Sequence, residues 1–450
     1  MSNDYQTQSP VKTAVLSFQH MFAMFGATVL VPILSNMSVS VALLAAGIGT
    51  IIFYFLTSKK VPVFLGSSFA FLPALMSVMH GTTIGTDAWN TQMGKASVAL
   101  ILAGLVYVAI SLIIKGVGVE KVKKLFPPIV VGPVIIVIGM VLAPKMFYNN
   151  IIGPSVWSGF ELPLWKQWTA AGITALSIIA INAYAKPKSF LKIIPILLGF
   201  VIGYAYSLAI GLVDFSQADW SKIVIFQDMG STFGFYGSLS FDWSVVLSIV
   251  PIAIVTFMEH LGDINANSAI CGKDFMVDPG VHRTVLGDGV ATMISGAMGG
   301  PANTTYGENT AVLAITRNYN PRNIFIAACL AVFFGCFTLF GTAIATIPAA
   351  VIGGASIVLF GMISASGLRT LVAGKVDFTR TKNLIVVSVI LSIGLGLGAM
   401  SLAGDVTGES VYKIFLTINE GNIELSPLAI ATVAGILLNL IIPEQKDSEE

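Results

Sequence analysis

The sequence predicts an all-α integral membrane protein of fourteen transmembrane segments arranged as two inverted seven-span repeats. Three observations predict it. The 450 residues are 55% hydrophobic and 10% charged, with a mean hydropathy of +0.85, whereas a water-covered surface takes about 25% charged residues. The basic residues alternate along the chain as a membrane topology requires. Three sequence landmarks also recur, in the same order, in the second half.

A helix needs roughly 20 apolar residues to cross the hydrocarbon core, and runs such as 96–114 and 324–347 supply them. Breaks at charge clusters and at Gly/Pro/Asn stretches delimit segments near 12–34, 38–57, 61–80, 96–115, 126–143, 168–185 and 191–213. The second set lies near 244–264, 284–299, 301–316, 323–345, 348–368, 383–401 and 425–443. The third, ninth and tenth are the least regular. The polar start, 1–12, leads into the first span without a small-residue cleavage site, so no cleavable signal peptide is expected. Cys271, Cys329 and Cys336 fall in or beside spans and read as packing residues rather than a disulfide framework. A net charge of +1 points to no nucleic-acid partner.

With the N-terminus in the cytoplasm, the inside segments carry Lys12; Lys59 and Lys60; Lys115, Lys121, Lys123 and Lys124; and Lys186, Lys188 and Lys192. They continue with Lys273 and Arg283; Arg317 and Arg322; Arg369, Lys375, Arg380 and Lys382; and Lys446. That is 19 of the 24 basic residues, leaving Lys95, Lys145, Lys166, Lys222 and Lys413 outside. Cytoplasmic loops are enriched in Lys and Arg. One span more or fewer would scramble the alternation from that point on. Both termini are therefore expected in the cytoplasm.

The repeat begins with Gln19-His20 in span one, echoed by Glu259-His260 in span eight. Ser67-Ser68-Phe69-Ala70 follows His20 by 47 residues, and Thr304-Thr305-Tyr306-Gly307 follows His260 by 44. Pro127 with Gly132 is echoed by Pro348 with Gly353. Seven spans per copy is odd, so the copies must be inverted, and inverted repeats mark secondary transporters with a midplane site where the copies meet. The runs 61–69 and 299–307 are interrupted by Pro and Gly and read as an extended stretch followed by a half-helix. Such backbone is tolerated at membrane depth only inside protein or along a cavity. Each half-helix would turn N–H groups and a positive dipole end toward the midplane.

Glu259, Asp263, Asp288 and Glu308 lie within predicted spans, where a carboxylate costs about 2.5–3.5 kcal/mol and so marks a site or pathway. Glu259 and Asp263, four apart, share a helix face. The same spans hold no interior Lys or Arg to pair them. Each acid can also be read as a protonated group hydrogen-bonded to a neighbouring helix, Asp288 most readily, because no partner for it is evident. His20 and His260 read equally as satisfied core histidines, and Phe69 and Tyr306 as stacking or packing aromatics. Acceptor carboxylates, donor N–H groups and two aromatic faces suit a flat heterocycle with N–H donors beside carbonyls. Sugars remain open on this chemistry, and an anionic ligand is disfavoured. Burial disfavours a charged carboxylate, so proton coupling follows.

These stretches resemble the nucleobase–ascorbate transporters, in particular their bacterial uracil permease branch. The resemblance rests on Gln19 through Thr28, on Gly66-Ser67-Ser68-Phe69-Ala70-Phe71 and on Glu259-His260-Leu261-Gly262. It rests further on Asp278-Pro279-Gly280-Val281-His282-Arg283 and on Asn303-Thr304-Thr305-Tyr306-Gly307-Glu308-Asn309, and it runs from about residue 12 to 443. It implies short antiparallel strands before the half-helices of spans three and ten. It also implies a core domain (12–115 and 244–345), a gate domain (116–213 and 346–443), elevator movement and a homodimer formed through the gate.

By the same resemblance, Glu259 and Glu308 bind the pyrimidine, Phe69 stacks on it, and Tyr306 and Gly307 form the facing strand-to-helix turn. The proton is the coupling ion, no other cofactor is expected, and Glu259, His260 and Asp263 are the candidates to carry it. Purine-specific relatives tend to have Gln where Glu308 stands, which favours uracil. Asp263 departs from the second histidine of some uracil permeases and resembles purine carriers, which keeps a xanthine or urate symporter as the alternative. A membrane-embedded enzyme is disfavoured because His20, His80, His260 and His282 are scattered and no metal-ligand spacing occurs.

Overall fold

The computed structural model describes residues 9–118, 120–121, 127–153, 163–186, 189–192, 194–215, 220–221, 223–225, 229–407, 416–418, 421–423 and 427–443. Lys123, Lys124, Lys188, Lys222, Lys413 and Lys446, which enter the topology reading, lie outside these.

The first half holds α1 (Pro10–Leu34), α2 (Val39–Leu56), strand β1 (Leu65–Ser67), α3 (Leu72–Val78) and α4 (Asp87–Val117). It continues with α5 (Pro128–Met146), α6 (Leu164–Tyr184) and α7 (Pro195–Ala209). The second half holds α8 (Trp243–Ile249), α9 (Ile252–Cys271), α10 (Val281–Ala297), strand β2 (Asn303–Thr305) and α11 (Gly307–Thr316). After these come α12 (Pro321–Cys336), α13 (Thr338–Ala345), α14 (Ala349–Ala373), α15 (Thr381–Thr407) and α16 (Pro427–Ile441). Among the described residues, seven helical stretches are long and apolar enough to cross a membrane, including Pro10–Leu34, Asp87–Val117 and Ala349–Ala373. The structure is thus a mostly helical, membrane-type protein.

Helices start where something disposes of the free first-turn N–H groups. The Ser9 hydroxyl accepts from the Lys12 N–H ahead of α1, Ser38 from Val41 ahead of α2, and Thr86 from Trp89 ahead of α4. Pro127 and Pro348, the paired landmarks, stand at the N-caps of α5 and α14.

Lipid supplies no hydrophobic drive between helices, so close packing needs small residues. Helix α4 lies along α10, and α5 along α14. A Cβ on Gly289 would fall 2.9 Å from the Gly104 carbonyl oxygen, and one on Gly367 would fall 2.5 Å from that of Gly132. Glycines therefore set both approaches. Elsewhere α2 packs on α10 and α12, α6 on α7 and α14, and α15 on α5 and α16.

The Asp278–Arg283 motif has a structural task. Lys60 Nζ lies 2.5 Å from the Asp278 carboxylate, and the Arg283 guanidinium donates to the Ser58 hydroxyl. Together they tie the end of α2 to the start of α10.

Candidate functional site

The site is built around two strands of three residues each. β1 and β2 pair antiparallel, with Leu65 opposite Thr305, Gly66 opposite Thr304 and Ser67 opposite Asn303. The Ser68 N–H donates to the Ala302 carbonyl at 2.8 Å and the Tyr306 N–H to that of Phe64 at 3.0 Å, extending the ladder at both ends.

A two-stranded ribbon still has two outer edges, and these strands are buried from solvent, so the edges need partners within the protein. Threonines from neighbouring helices supply them. Thr50 of α2 accepts from the Leu65 N–H at 2.9 Å and donates to the Leu65 carbonyl at 3.2 Å. Thr292 of α10 donates to the Asn303 carbonyl at 2.9 Å and accepts from the Asn303 N–H at 3.3 Å. The two strands are thus closed by the same device.

Beyond the strands the chain turns into α3, seven residues or about 10 Å, and α11, ten residues or about 15 Å. Neither crosses a core of about 30 Å. Tyr306 lies across β1: its hydroxyl donates to the Ser67 carbonyl at 2.8 Å and accepts from the Thr28 hydroxyl at 3.2 Å. A Cβ on Gly66 would sit 2.4 Å from the Tyr306 ring, so this crossing requires glycine there.

A cavity of about 540 Å³ opens beside the crossing. Phe69, Glu259, Asp263, Tyr306, Gly307 and Glu308 all line it, so the structure brings together six of the seven residues to which the resemblance gives a substrate or proton role. Asp263 accepts from the Thr305 hydroxyl at 2.8 Å, and a Cβ on Gly307 would lie 3.8 Å from its other oxygen. Its carboxylate therefore sits against the β2–α11 turn. Glu308 occupies the first turn of α11, whose N-cap, Tyr306, makes no side-chain cap. The Phe69 ring meets Phe360 of α14 edge-on, with centroids 6.3 Å apart. Leu359, Met362 and Ile363 of α14 and Pro195, Ile196 and Leu197 of α7 also line the cavity. The cavity thus offers carboxylate acceptors, aromatic rings and apolar side chains together.

The seventh residue, His260, does not line the cavity. It is fully buried, with Nδ1 3.2 Å from the Asp288 carboxylate and Nε2 2.9 Å from the Thr284 hydroxyl, both on α10. Asp288 therefore has a partner, which sequence spacing could not indicate across two helices. His20 is held similarly: the Asn309 amide donates to its carbonyl at 2.9 Å and lies 3.3 Å from Nδ1. Among the described residues no His, Cys, Asp or Glu group is arranged to hold a metal.

Residues 11–402 match the Permease family. The uracil permease of Bacillus caldolyticus is 42% identical over 435 residues, covering 97% of this chain and 93% of that protein. The uracil permease of Bacillus subtilis is 40% identical, covering 98% and 95%, and that of Escherichia coli K12 is 37% identical, covering 96% and 91%. Two solved transporters share the fold alone. The transmembrane domain of the cyanobacterial bicarbonate transporter BicA aligns with a TM-score of 0.61 at 13% identity, covering 87% of this chain and 97% of that one. The murine anion transporter Slc26a9 aligns with a TM-score of 0.63 at 10% identity, covering 98% and 69%. These relatives carry solutes across membranes, and the chain is a multi-pass membrane transporter rather than an enzyme. It belongs to the permease family of nucleobase–ascorbate transporters.

Proposed function

We propose that this protein imports uracil across the cytoplasmic membrane in symport with protons. The observation that carries the reading is that Glu259, Glu308, Asp263 and Phe69 line one common cavity, in a chain up to 42% identical to uracil permeases over nearly its full length. A pyrimidine with two N–H donors and two carbonyls matches carboxylate acceptors on one edge and the N–H groups of the β2–α11 turn on another. Phe69 covers its face. Carboxylates around one apolar-walled cavity repel one another, which favours taking up a proton together with a neutral base. Asp263, against the substrate-side turn, is the leading carrier of that proton, with Glu259 beside it. His260 would act only through Asp288 and Thr284.

All fourteen segments cross in this reading, as two inverted repeats with both termini in the cytoplasm. The shared strand–half-helix build and the matching Thr50 and Thr292 devices support the duplication. Residues 12–115 and 244–345 form the moving core, and 116–213 and 346–443 the gate through which two copies pair. Elevator movement would carry the cavity from one face to the other.

The test is radiolabelled uracil uptake in cells lacking their own permease, with and without a protonophore and with excess xanthine. Protonophore-sensitive uptake that xanthine fails to block is expected. Xanthine uptake without uracil uptake would move the substrate to purines and keep the fold.

A further inference from the structure

The cavity has a second polar region that a neutral base does not use. Asn182, Lys192, Ser366 and Arg369 line it together with the carboxylate site. Phe360, which touches Phe69, and Arg369 are nine residues apart on α14, or about 13 Å along the helix axis. The basic groups thus mark the mouth and the acids the floor. By the charge topology this mouth faces the cytoplasm, because Lys192 and Arg369 both belong to inside segments.

The two cations are available to a ligand. The Lys192 ammonium donates to the Asn182 carbonyl, which leaves further N–H donors of its three. Arg369 is exposed, and among the described residues neither cation is paired with a carboxylate. Arg and Lys lining one partly enclosed cleft favour a phosphate, which carries about −1.5 to −2 charges at neutral pH and takes bidentate Arg bonds. At about 540 Å³ the cavity is in the size range of sites for drug-sized ligands (about 300–1,000 Å³), and a single six-membered ring leaves most of it empty. The floor repels phosphate, so an anionic group can stay in this cavity only at the mouth.

We infer that the mouth is a phosphate subsite, and that a pyrimidine nucleoside monophosphate binds from the cytoplasm with its base on the acid floor and its phosphate on Lys192 and Arg369, blocking transport. The inference rests on the nucleobase reading above. Its ligand is the product of a reaction class that attaches a phosphorylated sugar to the incoming base, so the site would sense how much imported base has been converted. Free phosphate and an anionic lipid headgroup share the recognised chemistry and must be separated from the nucleotide.

The experiment is displacement of radiolabelled uracil from the purified full chain by uridine monophosphate, uridine or inorganic phosphate, in vesicles of neutral and of anionic lipid. Uridine monophosphate should displace uracil at concentrations at least about ten-fold below uridine, because each lost charge-assisted bond is worth about that factor. Lys192→Gln combined with Arg369→Gln should erase the nucleotide's advantage and leave uracil affinity unchanged, while Arg369→Lys should keep most of it. Equal potency of nucleotide and nucleoside, or full nucleotide inhibition of the double variant, would overturn the inference. Displacement by inorganic phosphate as strong as by the nucleotide would also overturn it. So would nucleotide inhibition confined to neutral vesicles, because the mouth would then hold a lipid headgroup. Absence of uracil binding by the unmodified chain would instead overturn the nucleobase reading, and the inference with it.

Discussion

Tyr306→Phe separates two roles for the ring that closes the strand crossing. The substitution keeps the aromatic face and deletes one hydroxyl, so a residue that only stacks would tolerate it. In the structure that hydroxyl donates to the Ser67 carbonyl at 2.8 Å and accepts from the Thr28 hydroxyl at 3.2 Å, and the side chain is 4% exposed. Its removal takes a hydrogen-bond partner from two fully buried residues, Ser67 and Thr28. Each orphaned group costs about 1–3 kcal/mol. Partial relaxation brings the expected loss to about 2–4 kcal/mol, against a total stability of order 5–15 kcal/mol for a typical domain. The assay is thermal unfolding of the detergent-purified full chain, with Thr28→Val and the double variant completing a cycle. Coupling of about 0.5–3 kcal/mol is expected between residues in one hydrogen-bond network. A Tyr306→Phe protein that melts with the unmodified one, or strictly additive losses in the cycle, would refute the clamp and return Tyr306 to packing.

Three further expectations can be checked directly. Glu259→Gln and Glu308→Gln should each abolish uracil uptake while the protein still reaches the membrane at normal levels; normal uptake by both would dismiss the site. Phe69→Ala should weaken uracil binding by about 0.5–1.5 kcal/mol beyond the lost contact area, roughly 2- to 12-fold, measured by equilibrium binding. Outside the spans, burial alone would raise the Asp242 carboxyl. The hydrogen bond and charge of Lys95, 2.8 Å away, together with the Val245 and Ser244 N–H groups, outweigh burial and hold it below its usual value. The stabilisation is therefore full above the unfolded value of about 3.9 and is lost as pH falls through the lower folded one. Both side chains are about a quarter exposed, so Lys95→Met should remove only about 0.2–1 kcal/mol and flatten the acid side of a melting-temperature profile.

Much of the site was readable because its signals are local. Gly66-Ser67-Ser68-Phe69 and Asn303-Thr304-Thr305-Tyr306-Gly307 carry Gly, hydroxyls and an aromatic where a helix would be uniformly apolar, and the strands Leu65–Ser67 and Asn303–Thr305 form there. Glu259 and Asp263 share a face because four residues make about one helical turn, and both reach the cavity. Reading Tyr306 as a stacking residue missed its hydroxyl, since both partners of that hydroxyl come from elsewhere in the chain. Asp288 has a partner likewise invisible in sequence spacing. Its contact with His260 joins two helices whose facing is set by packing. Thr50 and Thr292 gave no signal, because a threonine in an apolar helix ordinarily bonds its own preceding turn.

The sequence by itself determined that this chain is a multi-pass membrane protein, where its long apolar helices fall and which acids lie among them. Those properties follow from composition, periodicity and the cost of a charge in hydrocarbon, all of which act within a few turns of chain. Tertiary structure alone decided the register of β1 on β2 across more than 200 residues, that helical threonines close both strand edges, and that His260 faces Asp288 rather than the cavity. It also decided that Lys192 and Arg369 share the cavity with the acids. The physical reason is that buried backbone and polar groups must find partners wherever packing brings them, and packing joins residues that no sequence spacing relates.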